Sequence, residues 1–261
     1  ITNCYITTSV IPPGGWRLKA KRSWRVEIRD CAVTNLSPLE GMNIADLEIC
    51  HWNISDLTPL KGMPLRRLYL WDTKVTDLSP LRGMKLKTLT IIKAPVADLI
   101  PLHGMRISDL WLRITKVSDL TPIKGMPLEE LGIDGTDVSD LSPLRGMPLR
   151  KLSLAGTEVS DLTPLKGMKL EWVELEGTRV SDLTPIRRMP IAYLNIASTS
   201  VRDLSPLADI ALKDLQFTPE NITNGMDIVR NMASLEKIGL HSGDSRPPAE
   251  FWKKYDTGES K

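Results

Sequence analysis

Apolar positions recur along this chain in blocks of 21 residues. Residues 128–148, LEELGIDGTDVSDLSPLRGMP, show one block, with Leu128, Leu131, Ile133, Thr136, Val138, Leu141, Leu144 and Met147 at inward positions. Pro38 is repeated in phase at 59, 80, 101, 122, 143, 164, 185 and 206, and Met42 at 63, 84, 105, 126, 147, 168 and 189. Leu131 and Ile133 alternate with Glu130, Gly132 and Asp134, which predicts a short strand with one buried and one solvent-facing side. Thr136, matched by Thr73, Thr115, Thr157, Thr178 and Thr199, is placed to satisfy turn backbone with its hydroxyl. Ser142-Pro143 then reads as an N-cap followed by the first residue of a helical or 3₁₀ return. Gly146 supplies the left-handed stop. One block cannot enclose its own apolar side, so blocks must stack and share it.

The L-x-x-L-x-L spacing within each block is that of leucine-rich repeats. The expected fold is therefore an α/β leucine-rich repeat solenoid. It is a curved arc with a parallel β-sheet on the concave face and short helical, 3₁₀ or extended return segments on the convex face. Residues 1–22 lack the pattern and read as an N-terminal cap. Residues 23–218 hold about nine 21-residue units plus a tenth strand, and 219–261 a C-terminal repeat and cap. Within the last part, Ile222, Met226, Val229 and Met232 fall at helical spacing and predict a return helix over 219–233. Leu235, Ile238 and Leu240 predict one more strand, with Phe251, Trp252 and Tyr255 folded over the end of the core.

The segment VSDLTPLKGM (159–168) is similar to SDS22-like and internalin-type repeats, whose turn often reads I-x-D-[IL]-[ST]-P-L. Internalin-type units usually have 22 residues, and these have 21. The Gly-Met of KGM and RGM, the Thr column and the tail more closely resemble leucine-rich repeats of planctomycete and Lentisphaera-type bacterial proteins. Some of those append the array to a Ser/Thr kinase. IVRNMASLEKIGL (228–240) and PAEFWKKYDTGE (248–259) look like that group's ending, so the resemblance spans roughly residues 30–258. It implies a bacterial repeat protein, with a regulatory or spacer segment of a larger signalling protein as one role. This chain carries no kinase motif.

Composition narrows the classes further. Apolar residues are 41% and charged residues 25%, which argues against disorder. A net charge of +2 lacks the basic excess of a general nucleic-acid binder. No run approaches the roughly 18–20 apolar residues of a membrane span. The chain begins with neither Met nor a charged-then-apolar leader and reads as a processed or excised piece. Cys4, Cys31 and Cys50 are too few for a disulfide scaffold. A Cys4–Cys31 bridge, the compartment and the oligomeric state all stay open.

Catalytic chemistry is sparse. His51, His103 and His241 share no column and no metal-binding spacing, and His103 takes the slot of Lys61, Arg82 and Lys124, a solvated return position. Cys31 falls in the inward Thr column, and Cys50 on the outward strand side, where it is open to reaction. The Asp series at 56, 77, 98, 119, 140, 161, 182 and 203 suggests a cation ladder. One Asp per turn is too few for Ca²⁺, and capping of turn N–H groups fits better. The Met ladder reads as core filling. No catalytic residue, metal site or cofactor is expected.

The outward strand columns are where binding is expected. Tyr69, Trp71, Ile92, Trp111 and Arg113 fall on three successive strands and are the residue types of interaction hot spots. Asp72, Lys93, Asp109 and Lys116 form a polar rim, and Trp172 with Glu174 marks a second aromatic and acidic place further on. Gly132, Ser153, Ala155, Gly135, Gly156 and Gly177 predict a shallow open surface there, on which Asp134→Ala is nearly silent for folding. The expected partner is a protein or peptide on the concave face, with a glycan as the other option and no nucleic acid. Aromatics that only stack on one another or on a neighbouring domain are the competing explanation. The Lys/Arg column of Lys61, Arg82, Lys124, Arg145, Lys166 and Arg187 reads as solvated charge, too regular to be selective.

Overall fold

The computed structural model describes residues 5–8, 24–29, 35–50, 53–241 and 243–258. The Cys4–Cys31 pairing, the inward Cys31, His51 and most of the 1–22 cap lie outside these. The chain divides into two compact units, Ile1–Leu128 and Glu129–Lys261. In the first, β1 (Tyr5–Thr8) runs antiparallel to β2 (Trp24–Arg29). Strand β2 is followed in parallel by β3 (Ile44–Cys50), β4 (Arg67–Trp71), β5 (Thr88–Ile92) and β6 (Asp109–Arg113). The second unit stacks β7 (Glu130–Gly132), β8 (Lys151–Ser153), β9 (Trp172–Glu174), β10 (Tyr193–Asn195), β11 (Asp214–Gln216) and β12 (Lys237–Gly239), also in parallel.

Register follows the repeat: Asp46 faces Arg67, Arg67 faces Thr88 and Thr88 faces Asp109, each pair 21 residues apart. Like positions of successive coils therefore form columns, and the inward columns make the core. Leu68, Leu70, Leu89, Ile91, Leu131 and Leu152 are fully buried, and the Met ladder from Met63 to Met189 is buried beside them. Strands are longer in the first unit because Tyr, Trp, Thr and Ile suit a strand better than the Gly, Ser and Ala of the second.

The turn chemistry corrects one expectation. In these repeats the 3₁₀ turn begins at the Ser or Thr, or at Ile100 in one coil, after a Leu that gives no side-chain cap. The cap comes from the Asp two residues before. Asp56, Asp77, Asp140 and Asp161 accept the backbone N–H of Thr58, Ser79, Ser142 and Thr163 at 2.7 Å. Ser142 donates its own hydroxyl to Asp140, so the hydroxyl is a donor to the Asp and not the cap. Asp98 makes the same bond to the N–H of Ile100, where no hydroxyl exists. The hydroxyl and the N–H of the following Thr or Ser hold Asp56, Asp77, Asp119 and Asp161 below the usual carboxylate range. Such groups add stability above about pH 4 and lose it as pH falls through the lowered value, so acid loosens the turns.

Other columns match their reading. Thr115, Thr136, Thr157, Thr178 and Thr199 donate to the carbonyl three residues back, as at Thr136 to Ile133 (2.6 Å). Thr73 is buried without such a partner. Gly146 closes its turn at φ 74°. Past β11 the expected 219–233 helix is broken into a 3₁₀ turn (Pro219–Asn221) and α1 (Met226–Arg230). The break falls at Gly225, which has φ 80° and where a Cβ would run into the backbone of Leu204 and Ser205. The tail forms α2 (Pro248–Thr257), with Phe251 and Trp252 buried and Phe251 6.1 Å from the Phe217 ring. Among the described residues no helix is long and apolar enough to cross a membrane.

Candidate binding face

Strands β4–β6 of the first unit bring five of the expected residues together. Tyr69, Thr90 and Trp111 stand in one row, and Trp71, Ile92 and Arg113 in the next. Their backbone partners turn Leu68, Leu70, Leu89, Ile91, Leu110 and Leu112 into the core, which leaves this row outward. Trp71 is 48% exposed, Arg113 is exposed, and Tyr69, Ile92 and Trp111 are half-buried. Among the described residues Trp71 is one of three large apolar side chains this exposed, with Ile100 and Ile114, and its indole offers the largest surface of the three.

Charge frames the aromatics. Arg67 clasps Asp46 through two bonds of 2.8 Å, which holds that carboxyl below its ordinary range. Lys93 pairs with Asp72 at 2.9 Å, and Ser108 donates to Asp109 at 2.6 Å. Lys116 is exposed. Cys50, expected to be open to reaction, is buried, and its sulfur lies 3.5 Å from a Glu48 carboxylate oxygen. His103 is a solvated return residue as read, with Nδ1 3.2 Å from the Pro122 carbonyl. Among the described residues no three His, Cys, Asp or Glu side chains are placed to hold a metal ion.

Ile114, which the sequence reading passed over, belongs beside this patch. It follows Arg113, is 59% exposed and has φ 53°. The left-handed region costs an L-residue about 1–2 kcal/mol, and β-branched residues are rare there. Gly135, Gly156 and Gly177 fill the same column in later coils, so a signal existed: Ile where the repeat supports Gly.

Trp172 and Glu174 lie in the second unit, where the expected open surface holds at the exposed Gly135, Gly156 and Gly177 and fails at Gly132 and Ser153, which are buried. Ser153, Glu174, Asn195 and Gln216 form a buried polar row. Longer neighbours close over it. Trp172 stacks on Tyr193 with centroids 4.7 Å apart, and Tyr193 donates to Glu174 at 3.0 Å. Asn195 donates to Glu176 at 3.0 Å, and Ser153 to Asp134. Burial pushes the Glu174 carboxyl above its usual range, although the Glu176 N–H and the Tyr193 hydroxyl favour its charged form. A raised carboxyl destabilises the fold above its folded value and stops doing so once protonated. Glu174→Gln is expected to melt above wild type at neutral pH, the difference closing below about pH 4. Melting below wild type at neutral pH would show that the charge stabilises the row.

Fold and columns together define a leucine-rich repeat solenoid. Among solved structures the chain is similar to an internalin (inlF) of Listeria monocytogenes, with TM-score 0.71 and 24% identity over 81% of this chain and 65% of that one. It is also similar to internalin C2 of the same organism, with TM-score 0.60 and 26% identity over 74% of this chain and 80% of that one. This chain thus spans less than two thirds of the first internalin. Neither a family model nor a curated protein matches it.

Proposed function

We propose that the protein is a non-catalytic interaction module that binds a protein or peptide through strands β4–β6. A repeat fold of the internalin kind generally serves as a protein-interaction module. The observation that carries the reading is the exposed Trp71 set among Tyr69, Ile92, Trp111 and Arg113. Aromatic and Arg anchors each cost about 2 kcal/mol or more of binding when truncated at an interface. The second unit's Trp172 and Glu174 contribute less to this reading, since one is stacked and the other buried.

Affinity capture from the source cells tests it, with wild type beside the Tyr69/Trp71/Trp111→Ala variant. A protein retained by wild type and lost by the variant, with both chains folded by circular dichroism, is the expected result. Equal retention of the same protein would place the site elsewhere, and retention of a glycan alone would replace the partner class. If neither chain retains anything, the regulatory or spacer role takes precedence.

Ile114 offers a separate check. Ile114→Gly is expected to raise stability by about 0.5–1 kcal/mol by relieving the left-handed strain, while weakening capture of the same partner. Raised stability with undiminished capture would remove Ile114 from the site.

A further inference from the structure

The N-terminal edge of these same strands carries charge of one sign. Lys61, Arg66, Arg82, Lys85 and Lys87 line an open groove of about 690 Å³ between successive coils of the first unit. A second groove of about 440 Å³ shares Lys85 and Lys87 and adds His103 and Arg106. No carboxylate lines either groove. Gly62 and Gly83 stand beneath the first, with open space where a Cβ would be, so its floor is low.

These cations are exposed, and none forms an ion pair among the described residues. The neighbouring Arg67 does, with Asp46. Some of the corresponding places in the second unit are neutralised, Arg150 by Glu171, Arg187 by Asp209 and Lys213 by Glu236, while Arg145, Lys166 and Lys169 form no ion pair among the described residues. The repeat thus accommodates a carboxylate at several of these places, and at none of the five that line the first groove is one paired. Arg66 and Lys87 even face each other on adjacent coils, the Lys87 N–H donating to the Arg66 carbonyl at 2.8 Å. Like charges so placed repel. The whole-chain charge of +2 conceals this edge, and the Lys/Arg column that reads as uniform solvated charge is not uniform once its partners are known.

We propose that this edge seats an acidic segment of a polypeptide, rich in Asp and Glu. The choice of a polypeptide rests on the function proposed for the adjoining face. Tyr69 lies three residues along the strand from Arg66, about 10 Å, so one partner reaches both. On that face the charges are balanced, Asp46 by Arg67, Glu48 by Arg25 and Asp72 by Lys93, so a uniformly anionic polymer gains nothing there. A polypeptide presents carboxylates to the edge and apolar side chains to Trp71 and Trp111. No Phe, Tyr or Trp side chain lines either groove, and the first groove holds no aromatic ring at all, so the edge lacks a run of platforms for stacked bases.

The test is a titration of the full chain with a fluorescent, Asp/Glu-rich peptide free of aromatic residues, beside its Asn/Gln counterpart. The acidic peptide is expected to bind and the neutral one not to, with affinity falling as salt is raised. The Lys61/Arg82/Lys85/Lys87→Gln variant should lose about tenfold or more, while Lys166/Lys169→Gln in the second unit leaves binding unchanged. Equal binding of both peptides, an unaffected four-residue variant, or preference for a sulfated oligosaccharide, an oligonucleotide or anionic vesicles would each overturn the proposal. The Tyr69/Trp71/Trp111→Ala variant should still bind the acidic peptide. Failure at the edge and failure at the aromatic face are therefore read separately.

Discussion

Leu131→Asp is expected to abolish the cooperative unfolding of the second unit or lower its stability by several kcal/mol. Leu131 is fully buried in β7 and faces Leu152 of the next coil. Losing the side chain alone costs about 2–5 kcal/mol, and the carboxylate adds an unpaired buried charge. Domains hold only about 5–15 kcal/mol in all, and each coil depends on its neighbours. The companion variant, Asp134→Ala, looks silent from sequence. In the structure Asp134 is buried and accepts the Ser153 hydroxyl, so its removal is expected to cost about 1–3 kcal/mol. Urea titration separates the two, and equal midpoints for Leu131→Asp and wild type would contradict the inward assignment.

Gly225→Ala is expected to cost about 2–4 kcal/mol, more than the same change at Gly146. Both residues are left-handed, with φ of 80° and 74°. Around Gly146 there is open space, so Ala there adds only the conformational cost, about 1 kcal/mol. A Cβ on Gly225 would lie 2.7 Å from the Ser205 nitrogen and 2.9 Å from the Leu204 carbonyl carbon. That backbone cannot retreat cheaply, because Leu204 donates to the Asn224 carbonyl and Asp203 bridges Asn224. Equal losses for the two variants, measured by thermal melts, would show that this coil has room to shift.

What the sequence makes legible is whatever the period determines. Leu131, Ile133 and Val138 are inward because stacking leaves one way to bury them, and Gly146 marks a φ that Gly adopts most easily. Partner choice within a turn is less legible: Asp140 and Ser142 are both capping types, and only the geometry shows Asp140 accepting and Ser142 donating. The break at Gly225 was hidden by Ile222, Met226 and Val229, whose helical spacing spans two separate turns.

The binding face is only partly legible in the sequence, for a related reason. Alternation assigns Tyr69 and Ser153 to the same outward column, yet Tyr69 is half-exposed and Ser153 is buried. Exposure there depends on how far neighbours such as Asp134 and Tyr193 lean, which alternation does not encode. The cationic edge was invisible for another cause. Whether Lys61 or Arg187 is neutralised depends on the adjacent coil, and Arg187 has Asp209 while Lys61 has no such partner.

The central claim is that a partner seats on strands β4–β6, and photo-crosslinking tests it most directly. A photoreactive phenylalanine at Thr90, between Tyr69 and Trp111, is compared with one at Thr121, exposed on a return turn of the same unit. The account predicts a protein adduct from position 90 and none from 121. An adduct from 121 with none from 90 would contradict it.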